Sequence, residues 1–499
     1  MPVILFSLAG CGGDDSDGSA SPASGGAAGT GGSSGSSSSG GSSGTGGSSL
    51  GGSSGTGATG SGGAGGSGGG TGACSAITTF AEGLTPAKEI HVSPSGNDTS
   101  GDGSAGKPFQ TIAKGVQATS PGSAVRIHSG TYPGGAFLSG VSGTAAAPIW
   151  IGGAPGETRP VIDGGGEGLH LAKPRYLVLH DLEVKSSTQN GVNIDDGGEY
   201  ANADAARFVL LKNLSIHDIG SNGNQDCLKL SGLNDFWVLE SQFSHCGGGG
   251  SGSGIDQVGC HHGLIARSTF QTITGNAVQA KGGSEDIEIR ACDLVDAGAR
   301  GVNMGGSTGF EFFRPPLSTS SPNFEAKNIR LVANVIRGSE AALAFVGCVD
   351  CLAAHNTIVD PTHWLFRILQ ETTTSGGYTF LPASNGRFLN NLVYFDRSQL
   401  STTVNVGPNT NAPSFSFQNN LWYAHDAPSS SAPSDLPASE SAAVAGVDPA
   451  FTAAASGDFS IPKSSPASGK GSAAAGVAAD KNGKCYAAPP SIGAYEPLP

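Results

Sequence analysis

Two aspartates, two lysines, an arginine and a histidine pair recur through the middle of the 499-residue sequence at intervals that suit one shared surface. Asp226 and Lys229 lie in NQDCLKLSG, Asp256 and His261-His262 in GIDQVGCHH, Lys281 in NAVQAKGGSEDIEI, and Arg300 nineteen residues further on. Two convergent carboxylates serve either as the acid and base of acetal hydrolysis or as ligands of a divalent cation. A histidine beside them is a proton donor. Adjacent histidines point to opposite faces of an extended strand, so at most one of His261 and His262 joins such a group. Lysine becomes a base where positive neighbours or desolvation favour its neutral amine, and arginine binds carboxylates through a planar fork.

The elements that must carry these residues repeat. From Gly254 to Gly306 the sequence states one pattern three times: a short alternating strand, a glycine corner, a second strand rich in β-branched residues and a polar corner. Each copy is one rung of a solenoid. Aligning first strands on Val192, Leu228, Ile255, Val278, Val302 and Leu343 as inward residues puts Asn193, Lys229, Asp256, Gln279, Asn303 and Ala344 in one outward column. Two positions on stand Asp195, Ser231, Val258, Lys281 and Gly305. Parallel strands stack at ~4.8 Å, so the two columns make a polar patch roughly 20 Å tall. Asn193, Gln279 and Asn303 are its candidate substrate contacts. Arg300, two residues before an inward valine, has no assigned direction.

Second strands align on Asp181, Asn213, Ser241, Ser268, Cys292, Asn334, Asn356, Asn391 and Asn420, a column expected to form an asparagine ladder that satisfies turn carbonyls. Two insertions, 195–207 and 306–327, are expected to rise beside the patch. The second carries Phe310, Phe312, Phe313 and Arg314. Its aromatic rings either stack on sugars or bury against the solenoid wall, with Phe312 and Arg314 as candidate binding residues.

Composition agrees with many tight turns: 82 glycines, 13% charged residues and 7% aromatics. A formal charge of -14 argues against nucleic acid as a partner. It permits an acidic polymer at a locally basic site.

At the start, an apolar run leads to Leu8-Ala9-Gly10-Cys11, which looks like a bacterial lipobox. On that reading residues 1–11 are the signal segment and Cys11 is acylated. Residues 12–73, nearly all Gly, Ser, Ala and Thr, read as a flexible tether, and 74–499 as the folded domain. No later run is apolar for the ~18 residues a membrane span needs, so the membrane enters only through the lipid. The eight cysteines after Cys11 permit disulfides of unspecified pairing, and Cys348-Val349-Asp350-Cys351 reads as structural.

The opening order VSPSGND, PFQTI, GSAVRIHSGTY and the closing order VDPAF, GDFSI, SSPASGKG, SIGAYEP resemble secreted right-handed parallel β-helix proteins of the pectate-lyase-like superfamily. The resemblance covers about residues 88 to 496. It implies an all-β, right-handed parallel β-helix with a short N-terminal capping helix, for which Phe109, Ile112, Ala113 and Val116 supply one apolar face. The Lys281 and Arg300 pattern is similar to alginate lyases and chondroitinase B, which implies a lysine base assisted by an arginine. Where acidic residues of that family precede the lysine and bind calcium, this sequence has Thr274 and Asn276. Asp226 and Asp256 are the carboxylates left to hold calcium.

These readings converge on an exported, lipid-anchored, monomeric protein of the bacterial envelope acting on an extracellular polysaccharide, as a uronate lyase through Lys281, Arg300 and Lys229. The alternatives are a glycoside hydrolase using Asp226 and Asp256 with His261, or a non-catalytic carbohydrate-binding surface protein.

Overall fold

The computed structural model describes residues 74–220 and 223–498. The expected signal segment 1–11 with Cys11 and the expected tether 12–73 lie outside the described residues.

Short strands separated by glycine, asparagine and aspartate corners wind into a right-handed parallel β-helix with three sheets, of ten, fifteen and twelve strands. The ten-stranded sheet carries the chemistry and is called the polar sheet. Its strands in chain order are β1 (Ala136–Ser139), β2 (Leu169–Ala172), β3 (Val192–Asp195), β4 (Leu228–Ser231), β5 (Ile255–Val258), β6 (Asn276–Lys281), β7 (Arg300–Gly305), β8 (Ala341–Val346), β9 (Phe366–Leu369) and β10 (Val404–Val406). Each pairs in parallel with the next, and the register is Phe137, His170, Asn193, Lys229, Asp256, Gln279, Asn303, Ala344, Arg367, Asn405. The expected outward column is thus observed, and it runs further in both directions than the sequence alignment reached.

The interior is a continuous apolar stack, with Phe243, Phe270, Leu294, Ile336, Ile358, Val393 and Trp422 buried on the twelve-stranded sheet. Burying side chains of this size stabilises by about 1.5–3 kcal/mol each. At the first rung a six-residue helix, α1 (Ile112–Gln117), is capped by the Thr111 side chain, which accepts from Lys114 N. It buries Ile112 and Val116.

The ladder forms, with one correction. Asn334, Asn356, Asn391 and Asn420 each accept, through Oδ1, the backbone N–H of the rung below, and each Nδ2 donates to a core-strand carbonyl. Ser268 and Ser241 continue it downward. Asp181 and Asn213, expected in this column, stand one residue earlier. They occupy the left-handed corner position (φ 52° for both) in line with Glu240, Arg267 and Ala291, and the ladder column passes instead into buried Leu182 and Leu214. Polar type alone does not distinguish these two neighbouring corner positions.

Both ends of the described chain fold back over the outside of the solenoid. Ile77, Phe80, Ala81 and Leu84 pack on the outer face of the fifteen-stranded sheet against Trp150, Val178, Leu210 and Leu239. The closing segment lays Phe459, Ile461, Ile492 and Ala494 on Val335, Val359, Leu392 and Leu421 of the twelve-stranded sheet. A disulfide, Cys74–Cys485, joins the two straps across 411 residues of sequence. Cys227–Cys246 and Cys348–Cys351 are also bonded, while Cys260 and Cys292 are buried thiols.

Candidate functional site

The polar sheet projects a charge sequence that the register dictates. Lys229 on β4 lies between two carboxylates: its Nζ donates to Asp256 Oδ2 on β5 and stands 3.5 Å from Asp226 Oδ2. Lys281 Nζ, at the end of β6, is 3.7 Å from the same Asp256 oxygen. Asp226 Oδ1 accepts from Ser253 N at 2.7 Å. Both aspartates are 1% exposed. Such burial is tolerable only because the lysines neutralise them.

The environment splits the two acids. Burial, with the like charge of Asp256 adding to it, holds the Asp226 carboxyl above the usual range despite Lys229. Burial also opposes ionisation of Asp256, but Lys229 and Lys281 together outweigh it and keep its carboxyl below the usual range. Lys229 is desolvated too, yet its two carboxylate partners raise its pKa, so it is a fixed cation rather than a base.

Arg300 has a direction. Gly301 and Val302 both face inward, since a Cβ on Gly301 would meet core Ile336, and the consecutive inward pair turns Arg300 out onto the polar face. Its Nη1 donates to Asn303 Oδ1 at 3.1 Å and its Nη2 to Glu371 Oε1 at 3.0 Å. On the adjacent strand Asn276 Nδ2 faces Gln279 Oε1 at 3.5 Å, and Gln279 Nε2 faces Gly305 O at 3.5 Å. Five buried polar atoms of β5, β6 and β7 have no partner: Asp256 Oδ1, Gln257 Oε1, Asn276 Oδ1, Arg300 Nε and Asn303 Nδ2. Unpaired buried polar groups cost free energy in the empty protein, so a cluster of them on one face marks unspent capacity for a ligand.

One side of the face is walled. Insertion 306–327 crosses close to the site at Gly306, where φ is +151° and a Cβ would lie 2.6 Å from Gln279 Nε2 and 3.4 Å from Lys281 Cδ. Its Glu325 is buried and accepts from Gly282 N, Thr308 N and the hydroxyls of Thr308 and Thr372. Burial raises its pKa.

Three candidate residues are placed elsewhere. Arg314 does not face the patch: its Nε and Nη2 donate to the two oxygens of Asp196 at 2.7 and 3.1 Å, and its guanidinium stacks 4.2 Å from the Tyr200 ring. It fastens the second insertion to the first. His261 belongs to the fifteen-stranded sheet, beyond the corner after β5, where its ring nitrogens face Asn234 Oδ1 and Gly283 O. The two residues between β5 and that strand suffice to turn the chain onto another face. Phe312 is half-buried on a single helical turn (Phe310–Phe312), while Phe313 is buried and Phe310 packs on Tyr378 and Phe380. Asn193 is on the face, with Nδ2 donating to Glu167 Oε1 at 2.9 Å.

The site extends beyond the sequence reading. His170 on β2 is gripped at both nitrogens, by Glu167 at 2.9 Å and Asp195 at 2.7 Å. Burial alone would lower its pKa, but these two partners raise it to about 9. The signal was present in GLHLA, whose two leucines flank an outward histidine; the alignment began one rung too late to use it. Glu371, 71 residues from its partner Arg300, left no local signal.

Among the described residues no group of three or more His, Cys, Asp or Glu side chains is placed to hold a metal ion. The proposed calcium pair does not fit that role, because the ammonium of Lys229 already occupies the position between Asp226 and Asp256.

No protein-family model matches the sequence, and no curated protein matches it. Solved structures do. Pectate lyase Pel9A aligns at 15% identity over 83% of this chain and 98% of its own, with a TM-score of 0.51. An alginate lyase from Paenibacillus sp. str. FPU-7 aligns at 15% identity over 65% and 99%, with a TM-score of 0.42. A GH136 lacto-N-biosidase from Eubacterium ramulus aligns at 15% identity over 72% and 68%, with a TM-score of 0.39. The likeness to Pel9A establishes architecture and goes no further: the chain folds as a right-handed parallel β-helix.

Proposed function

We propose that the protein is an exported polysaccharide lyase that cleaves a uronate-containing chain by β-elimination. The observation that carries the reading is the arrival of Lys281 and Arg300 on one face from consecutive strands, next to the unpartnered Arg300 Nε and Asn303 Nδ2. Through these two donors Arg300 and Asn303 bind the substrate carboxylate, and the guanidinium neutralises it, which acidifies the neighbouring C5 proton. Lys281, the lysine that two carboxylates do not clamp, takes that proton. The electron pair forms the C4–C5 double bond as the C4–O bond breaks, and the proton returns to the departing oxygen from Lys281.

On this reading the Arg300 guanidinium supplies the positive charge that calcium would bring, and activity persists in a chelator. Export fits the three disulfides, which persist in oxidising compartments, and the lipid on Cys11 is the proposed anchor. The solenoid acts as a monomer.

The test is ultraviolet absorbance of unsaturated uronate while the purified protein is incubated with alginate, polygalacturonate and glycosaminoglycans. Absorbance rises on one polymer, and Lys281→Ala lowers the rate at least ~100-fold. The lyase reading fails if absorbance stays flat on all of them, or if Lys281→Ala retains the wild-type rate.

A second reading has its own observation. The opposed shifts of Asp226 and Asp256 are those of a protonated acid beside an ionised base, as in glycoside hydrolysis. It ranks second because Lys229 ties the two together and both are almost closed to solvent. New reducing ends without unsaturated product would select it, and binding without release of any product would select a carbohydrate-binding protein.

A further inference from the structure

Among the described residues the large apolar side chain most open to water is Phe137, 60% exposed. It stands on β1, the edge strand of the polar sheet, in the column that continues through His170 and Asn193 to Lys229 and Asp256. Its ring meets that of His170 edge-on, with centroids 4.8 Å apart and planes at 87°. His170 cannot turn, because Glu167 and Asp195 hold its two nitrogens. Glu167 Oε1 is itself held by Asn193 and Asn190. The exposed aromatic is therefore braced by a rigid polar cluster. At the far end of the face Trp364 differs: His363 stacks on it at 3.7 Å and the Arg367 guanidinium at 4.1 Å.

Five strand steps separate Phe137 from Lys281, roughly 24 Å at the spacing of a parallel sheet. That is the reach of several sugar residues along one bound chain. The two ends differ in what they offer a ligand. Beside Lys281 and Arg300 stand the unpartnered donors Arg300 Nε and Asn303 Nδ2, whereas around Phe137 two carboxylates face one imidazole.

We infer that Phe137 is the platform of a distal subsite that takes a neutral pyranose of the same polysaccharide, so that the substrate is a heteropolymer of uronate and neutral sugars. The apolar face of a pyranose ring stacks on the phenyl ring, and its hydroxyls donate to Glu167 and Asp195. A uronate placed there would set its carboxylate against those two acids. The acidic half of this assignment rests on the lyase reading; the neutral subsite rests on Phe137 and its surroundings.

The experiment measures binding apart from cleavage. Full-length protein carrying Lys281→Ala, with and without Phe137→Ala, is titrated by calorimetry with hyaluronan, in which uronate and neutral residues alternate, with polygalacturonate, and with neutral xyloglucan. The subsite requires that Phe137→Ala weaken binding of hyaluronan or xyloglucan ~10-fold, that Phe137→Trp restore it, and that polygalacturonate binding change less than two-fold. In the otherwise wild-type protein Phe137→Ala raises KM and leaves kcat unchanged. Equal loss on all three polymers, no loss on any, or no binding of the two neutral-sugar polymers overturns the inference, even if unsaturated product still forms. Phe137-dependent binding with no unsaturated product from any polymer keeps the subsite and removes the lyase.

Discussion

The polar sheet and the asparagine ladder are built from the same rungs but treat polar groups in opposite ways. In the ladder, Asn356 Oδ1 accepts from Asn334 N and Nδ2, and its Nδ2 donates to Leu331 O and Asn391 Oδ1, so nothing is left over. On the polar sheet Asp256, Asn276, Arg300 and Asn303 each keep one buried atom unpaired. Where satisfaction is complete the residue serves the fold; where it is incomplete on one shared surface, polar capacity is left that the fold does not use.

The largest way to break the strapped side without touching the polar one is to cut the staple. Replacing Cys74 and Cys485 together by serine frees two terminal segments that close a loop of 411 residues, and the chain-entropy account sets the cost at about 6 kcal/mol. Denaturant unfolding is expected to show this loss, and limited proteolysis to cut first in the straps. Turnover per folded molecule stays at the wild-type value. A fall in turnover matching the fall in stability would show that the straps support the site after all.

Next comes the ladder itself. Asn356→Leu leaves Asn334 N without its acceptor and takes one bond each from Asn334 Nδ2, Leu331 O and Asn391 Oδ1 inside the core, at a cost of about 3 kcal/mol of unfolding free energy. A ladder variant within 0.5 kcal/mol of wild type, roughly the noise of surface substitutions, would mean that water replaces the amide.

Two histidines sharpen the contrast through pH. His355, under the closing strap, is neutral: burial lowers its pKa to about 4, while Nδ1 donates to Ser491 O and Nε2 faces Asn390 Nδ2. The unfolded chain binds a proton that the folded one refuses, so this stability is full above about pH 6.5 and is lost as pH falls toward 4, by about 3 kcal/mol. His170, on the polar sheet, has a folded pKa near 9. Its contribution is full below about pH 6.5 and is lost as pH rises through 9, by about 2 kcal/mol after solvent screening. Melting temperatures of His355→Gln and His170→Gln against wild type, from pH 4 to 10, should differ from it at opposite ends of the range.

The sequence disclosed periodic features and concealed non-periodic ones. Strand alternation located the column from Asn193 to Asn303 because side chains on a strand have a period of two, and the register then brought Lys229, Asp256 and Lys281 together. Corners break that period. One residue of ambiguity displaced Asp181 and Asn213 from the ladder, the consecutive inward pair Gly301 and Val302 hid the direction of Arg300, and the turn after β5 carried His261 onto another sheet. Insertions have no period at all. Arg314 reads as a free cation until folding brings Asp196 to it across 118 residues, and Glu371 reaches Arg300 by the same kind of long excursion.

The smallest expected change in stability belongs to the residue with the largest expected role. Lys281 Nζ lies 3.7 Å from an aspartate oxygen to which Lys229 donates directly, so Lys281→Met removes the more distant of two cations and keeps most of the aliphatic stem. Its unfolding free energy is expected to stay within about 1 kcal/mol of wild type, while formation of unsaturated product stops. A stability loss of several kcal/mol would make Lys281 a structural counter-ion of Asp256, and the polar sheet would then differ from the ladder only in charge, with no reserve for chemistry.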